Sequence, residues 1–354
     1  MDPLQPHRRY NPLLDEWVIV SPHRILRPWQ GQTEDAQQQD QVKDFDLSNP
    51  LCPGATRPCG LTNPNYESTY VFDNDFPALK SDDLVSPNSA GTTTSSEESI
   101  FFRSEPIRGN CKVMCFHPRS SLQLATMDTE AILTVINEWI RLYAELAQQW
   151  RWVQIFENKG AMVGCSNPHP HCQIWSCDFL PQYPARKHAT QQAYWQKHRR
   201  PMLFDYAQME LERKERLVTV NGDWIILVPY WAILPYECML LPRKRHILRI
   251  TDLTETEKLS LAEIMKDLLI RYDNLFKCSF PYSMGWLGAP SFQSEADIQG
   301  WQLHAVWFPP LLRSATVKKF VAGFELLCEP QRDLTAEKAA ETLRNLPTKH
   351  YTEK

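Results

Sequence analysis

Gly164-Cys165-Ser166-Asn167-Pro168-His169-Pro170-His171-Cys172-Gln173-Ile174-Trp175 joins a turn to a strand. Gly164 to Pro168 are small or turn-forming, a composition that can bring backbone N–H groups close to an anion. Side chains two apart point to the same side of an extended segment, so His169, His171 and Gln173 are expected on one face. An imidazole beside an amide donor and an anion-holding loop suits chemistry on a phosphate. The spacing of the two histidines also suits a metal ion, because imidazole is the commonest nitrogen ligand. A strand histidine can equally be a hydrogen-bonded core residue. Gln173 favours phosphate, since a neutral amide donates to a phosphoryl oxygen and is a poor zinc ligand.

Outward from this stretch the chain shows a pattern that occurs twice. A strand at Val113 to Phe116 precedes an amphipathic helix whose stripe is Ile132, Val135, Ile136, Trp139, Ile140, Tyr143 and Leu146. A strand at Trp152 to Phe156, a turn and the histidine strand follow. The second pass has strands at Trp224 to Val228 and Met239 to Leu241, then a helix from Thr254 with Glu257 at capping-box spacing. Its stripe is Leu261, Ile264, Met265, Leu268, Tyr272 and Leu275. The string SFPYSMGWLGAP and a strand at Gln302 to Phe308 close it. In this register Gln302, His304 and Val306 stand where the first copy has His169, His171 and Gln173. The repeat reads as an internal duplication with the chemistry kept in the first copy. The fold expected is α+β: an antiparallel sheet with helices packed on it, in half-domains at 1–178 and 179–354. Earlier in the chain, Trp17 to Val20 and Tyr70 to Phe72 read as strands. Residues 31–50 read as an exposed connection and Ser81 to Ser99 as a mobile loop.

The chain has 354 residues, 43% of them hydrophobic, which excludes wholesale disorder. A net charge of −4 gives no nucleic-acid or membrane signature, so an anionic ligand must be held locally. No apolar h-region opens the sequence, and no apolar run approaches the ~20 residues that span a bilayer. A cytoplasmic protein is expected. Ten cysteines are scattered without a CxxC pair, and Cys111, Cys115, Cys172 and Cys238 fall in hydrophobic strand-like segments. That usage fits a reduced chain rather than a disulfide framework.

From HRRYNPL at His7, through SPHR, RPWQG, YVFDNDFPAL, FENKGA, VGCSNPHPHCQIW, CSFPYSMGW, GWQLHA and PPLLRSATVKKF, to QRDLTAE, the chain strongly resembles the galactose-1-phosphate uridylyltransferase family. This is a branch of the histidine-triad-like superfamily. The resemblance implies uridylyl exchange between UDP-glucose and galactose 1-phosphate by a ping-pong route in galactose metabolism, with His171 as nucleophile. It also implies that Gln173 donates to the transferring group, and that Cys165, Ser166 and Gly164 form a phosphate-contacting loop next to Asn158. Arg24 and Arg27 match an arginine pair that family dimers carry toward the neighbouring subunit's site, implying a homodimer. Asn74 and Asp75 match a nucleoside-binding pair. Lys319, Phe320, Glu325 and Gln331 match hexose-binding positions. Phe324 stands where the family usually has tyrosine, and a lost hydroxyl would remove a sugar contact of about 1 kcal/mol.

The departures gather at the positions of two structural metals. At the first, the family's two cysteines and two histidines correspond to Asn49, Cys52, Ser120 and His169, with Cys59 and His117 nearby. At the second, a glutamate and three histidines correspond to Lys187, Leu287, His304 and Val306. No tightly bound metal is expected, and no cofactor is needed for the chemistry. The rival from another class is a non-catalytic sugar-nucleotide-binding homologue, which would predict decay at His171, Gln173 and Ser166. A hydrolase or phosphorylase of the same superfamily is a second rival, disfavoured by the retained hexose-binding positions.

Overall fold

The computed structural model describes residues 5–26, 43–81, 101–165 and 167–353. Arg27, Ser166, most of the 31–50 connection and nearly all of the Ser81 to Ser99 loop lie outside the described residues. Among the described residues the main body is a nine-stranded antiparallel sheet in the order β3-β4-β6-β5-β10-β11-β9-β8-β7. Its first strands are β3 (Tyr70–Asp73), β4 (Gly109–Cys115), β5 (Trp152–Lys159) and β6 (His171–Cys177). The others are β7 (Leu217–Val220), β8 (Trp224–Leu227), β9 (Cys238–Pro242), β10 (Tyr282–Leu287) and β11 (His304–Phe308). From the middle outward the order is the same on both sides: β5-β6-β4-β3 against β10-β11-β9-β8. At the seam β5 pairs with β10, and Phe156 lies opposite Gly285. In chain order each half runs strand, strand, helix, strand, strand, which is the duplication expected from the sequence.

The helix of each half forms for local reasons. Helix α1 (Thr129–Leu146) is capped by Asp128, whose carboxylate accepts from Ala131 N at 2.7 Å. Polar α2 (Gln182–His198) and α3 (Met202–Arg213) follow, and then α4 (Glu255–Phe276). Thr254 and Glu257 form the reciprocal capping box at the start of α4. The stripe of α1 is buried except that Leu142 takes a core place while Ile140 is only half-buried. In α4, the stripe residues Leu261, Ile264, Met265, Leu268 and Tyr272 are buried and Leu275 only partly.

Helices α1, α4 and the late α5 (Ala336–Arg344) cover one face of the sheet, around Trp139, Trp224, Trp286 and Trp307. On the opposite face, Met202, Leu203 and Ala207 of α3 cover the second half, packing with Ile225, Leu241 and Val306. The equivalent surface of the first half is open around His171, Gln173 and Asn158, which are half-buried. A smaller sheet joins β1 (His7–Asn11), β2 (Glu16–Val20) and β12 (Gln331–Arg332), with β12 parallel to β2. Among the described residues, no helix is long and apolar enough to cross a membrane.

Candidate active site

In β6, Cys172 and Ile174 face the core while His171, Gln173 and Trp175 face the open side. A cavity of about 150 Å³ opens there, lined by Asn158, Gly164, Cys165, Asn167, His171, Cys172 and Gln173. His171 Nδ1 lies 2.7 Å from the carbonyl oxygen of His169. A carbonyl only accepts, so Nδ1 carries the proton and Nε2 keeps its lone pair. Burial pulls the His171 pKa below the ordinary 6.5, which keeps the ring neutral at pH 7. The result is an unprotonated nitrogen on a residue that lines an anion-sized cavity.

Gln173 Oε1 accepts from Trp175 Nε1 at 3.0 Å and from Asn74 Nδ2 at 3.5 Å. Both bonds assign the oxygen, leaving the Nε2 hydrogens as donors for a ligand. Asn158 Oδ1 likewise accepts from Ser283 Oγ at 2.7 Å, which frees its Nδ2 to donate. Asp75 is tied to Arg57 at 2.7 Å, and Arg57 lies 4.2 Å from the centre of the Phe72 ring. Trp175, Asn167, Ser283 and Arg57 were not singled out from the sequence. Trp175 was within reach there, since it is one strand period beyond Gln173.

At Gly164 and Cys165 the loop differs from expectation. Gly164 adopts a left-handed conformation (φ 84°), as its glycine allows. However, its N–H donates to Ala161 O at 3.0 Å, and Cys165 N–H to Gly160 O at 3.3 Å. These two groups close the turn itself, and the donors that the described residues are seen to present at the cavity are the side-chain amides of Gln173 and Asn158. Cys165 donates its thiol to Asn167 O, and burial raises its pKa, so it remains a thiol and a weak nucleophile.

His169 does not share the face of His171 and Gln173. It sits on a bend before the strand, is 1% exposed, and does not line the cavity. Ser120 Oγ is 2.8 Å from its Nδ1 and Tyr66 OH 2.8 Å from its Nε2. Tyr66 also donates to Leu51 O at 2.6 Å, so its oxygen accepts the Nε2 proton, and Ser120 donates to Nδ1. Burial first, and the nearby His171 next, pull the His169 pKa down to about 4. Cys52 completes the cluster, 3.2 Å from Ser120 and 3.7 Å from His169. These residues do not fit a zinc ion: the ring nitrogen facing Cys52 already takes a hydrogen bond, and only two soft donors are present. Cys59 is exposed, and His117 Nδ1 accepts from Arg119 N.

The second metal position fits no better. His304 is buried with Nδ1 donating to Gln302 O, and Lys187 Nζ lies 3.5 Å from its Nε2. An ammonium directed at that nitrogen excludes a cation there. Leu287 pairs across from His304, and Val306 packs into the core. Among the described residues, no three His, Cys, Asp or Glu side chains gather where an ion could be held.

A second group of expected residues lies elsewhere. Gln331 is in β12, next to β2, and its N–H donates to Glu325 at 3.0 Å. Glu325 also takes Lys319, and Arg313 of this region donates to Arg24 O. Phe320 and Phe324 are exposed. None of Arg24, Lys319, Phe320, Phe324, Glu325 or Gln331 lines the cavity at His171.

Comparison with known proteins agrees with this architecture. The family model for the galactose-1-phosphate uridyl transferase N-terminal domain matches residues 1–181, and that for the C-terminal domain residues 187–354. The chain is 54% identical to a probable galactose-1-phosphate uridylyltransferase of Drosophila melanogaster, over 99% of this chain and 98% of that protein. It is 54% identical to the galactose-1-phosphate uridylyltransferase of Rattus norvegicus, over 98% and 89%. In fold it resembles a solved uridylyltransferase (TM-score 0.71, 23% identity, covering 96% of this chain and 97% of that one). It also resembles an ADP-glucose phosphorylase from Arabidopsis thaliana with bound ADP-glucose (TM-score 0.73, 20% identity, 97% and 99%). The chain belongs to the galactose-1-phosphate uridylyltransferase family, whose members are nucleotidyltransferases.

Proposed function

We propose that this chain moves a uridylyl group from UDP-glucose to galactose 1-phosphate in two steps, through a uridylyl-His171 intermediate, in the Leloir route of galactose metabolism. In the first step Nε2 of His171 attacks the α-phosphorus. An N–P bond forms, the P–O bond to the β-phosphate breaks, and the electron pair leaves on glucose 1-phosphate. The product imidazole is cationic, and its Nδ1–H, already donating to His169 O, places the new charge against a carbonyl dipole. In the second step a phosphate oxygen of galactose 1-phosphate attacks the same phosphorus, giving UDP-galactose and restoring neutral His171. Glucose 1-phosphate leaves as a phosphate and the cationic ring leaves as neutral His171, so neither step needs a strong general acid. Gln173 and Asn158, with their amide hydrogens free, neutralise charge on the non-bridging oxygens. Cys165, Gly164 and Ser166 bound the phosphate loop, and Asn74 and Asp75 hold the nucleoside. No step runs through a metal.

The remaining ligand contacts are assigned to a second copy of the chain. A cavity of about 150 Å³ is small beside the ~300–1,000 Å³ of ordinary ligand sites, so it accommodates the reacting group and little else. Arg24, Arg27, Lys319, Phe320, Phe324, Glu325 and Gln331 would close the hexose end from the partner of a homodimer. The exposed Phe320, Val321, Phe324, Leu326 and Leu327 are a surface that favours such a contact.

The observation that carries the reading is the His171 Nδ1 to His169 O bond, which leaves Nε2 unprotonated on a cavity-lining residue. The test is intact-protein mass spectrometry after brief exposure to UDP-glucose, with His171→Ala alongside. One uridylyl group should appear on the wild type alone, and galactose 1-phosphate should remove it. A folded protein that binds UDP-glucose but gains no adduct and releases no glucose 1-phosphate would be a binding homologue instead.

A further inference from the structure

We propose that Asn49 is a positioning residue for His171, acting through a hydrogen-bond relay that occupies the place of the family's first metal. The proposal rests on His171 being the uridylylated residue. Asn49 does not line the cavity, yet its carboxamide forms a reciprocal pair with Asn167, which does. Asn49 Nδ2 donates to Asn167 Oδ1 and Asn167 Nδ2 donates to Asn49 Oδ1, both at 2.9 Å. The two orientations are fixed independently by backbone donors. Leu51 N donates to Asn49 Oδ1 at 3.0 Å, and His169 N donates to Asn167 Oδ1 at 3.0 Å. Neither amide can flip without setting an N–H against an NH₂ group.

The relay then runs through the backbone of His169. Its N–H is held by Asn167, its ring by Ser120 and Tyr66, and its carbonyl accepts from His171 Nδ1 at 2.7 Å. Pro168 and Pro170 flank it, which narrows the backbone choices on both sides. Pro170 O is in turn fixed by Phe116 N at 2.8 Å. The carbonyl that sets the His171 tautomer is therefore held at every neighbouring atom. In a metal-binding relative a cation would organise these positions. Here two carboxamides, a serine and a tyrosine do so with neutral bonds. Asn49 is the outermost link and the one that can be changed without touching substrate.

Asn49→Asp is the informative variant. It keeps the acceptor for Leu51 N and for Asn167 Nδ2, so the local turn is retained. It replaces the donor to Asn167 Oδ1 with a carboxylate oxygen, which repels it. The expected result is uridylylation of His171 slowed on the order of tenfold, as for a small misplacement of a reacting group, with UDP-glucose affinity changed less than twofold. Nitrogen NMR of the His171 ring, without substrate, should show a protonated Nδ1 and bare Nε2 in the wild type, and averaged tautomers in the variant. Asn49→Ser, which removes both long-range bonds, should show the same averaging. A wild-type ring pattern and wild-type adduct rate in Asn49→Asp would overturn the proposal, as would loss of UDP-glucose binding with the ring pattern unchanged. If the wild type itself forms no adduct, the transfer reading fails, while the ring spectra still decide whether Asn49 sets the tautomer.

Discussion

Glu157 offers a stability test with a definite sign. Its side chain is 3% exposed on the helix-covered side of β5, accepting from Tyr282 OH at 3.0 Å. Burial pushes its carboxyl from the ordinary 4.5 up to about 7, although Lys159 and the Tyr282 hydroxyl pull the other way. Lys159 is committed mainly to Asp273, 3.0 Å away. At ~1.4 kcal/mol per pH unit, ionising Glu157 in the fold costs about 3 kcal/mol more than in the unfolded chain. Below pH 4.5 both states are protonated and the cost is absent. It grows as pH rises from 4.5 and is fully present above pH 7, where the native carboxylate must ionise. Glu157→Gln keeps an acceptor for Tyr282 and never ionises. Allowing for relaxation and water penetration around the buried carboxylate, the variant should exceed the wild type by about 2 kcal/mol at pH 8, and by under ~1 kcal/mol at pH 5. Urea unfolding at both pH values, with the slope unchanged, measures the difference. A variant less stable than wild type at pH 8 would mean that Glu157 is a stabilising anion, and an equal difference at both pH values that its carboxyl is unshifted; either result refutes the burial argument.

The pH profile of kcat/KM for UDP-glucose should be level around neutrality and fall on an acid limb below 6.5, the direction in which burial moves His171. An acid limb above that value would assign the proton to another group. Trp175→Phe removes the indole donor that fixes Gln173 Oε1, and should slow transfer about fivefold, the worth of one hydrogen bond of about 1 kcal/mol. Unchanged kinetics would show that Gln173 needs no such anchor. Extended chelation should leave uridylylation of His171 unaltered, and elemental analysis finding stoichiometric zinc would contradict the hydrogen-bonded reading of the Cys52, Ser120 and His169 cluster.

The duplication was readable because both helices carry long apolar stripes and the second starts with a capping box. Each of these is a local pattern that survives without tertiary information. The pair His171 and Gln173 was readable for the same reason, through the strand period. His169 was misplaced because Pro170 delays the strand to His171, so the period cannot be extended back across it. Helix α2 left no comparable signal, since its buried face is Pro184, Lys187 and Gln191. The loop's N–H groups close on carbonyls of their own turn, but the Asn49 to Asn167 pair depends on which distant atoms arrive beside one another. The latter spans 118 positions along the chain, beyond any local pattern.

The seam between β5 and β10 bears on how the two copies of the ancestral unit came to depend on each other. Gln154 crosses it to donate to Trp286 O at 2.8 Å, and Gly285 leaves room for that amide. A cut in the connection after β6 would give two pieces, each ending its main sheet in a raw edge of unpaired N–H and C=O groups. Such edges recruit whatever strand is at hand. Produced together, the pieces are expected to find one another in the register that sets Phe156 against Gly285; produced apart, each becomes a template for aggregation. The repeat that once made the halves alike has thus made them inseparable.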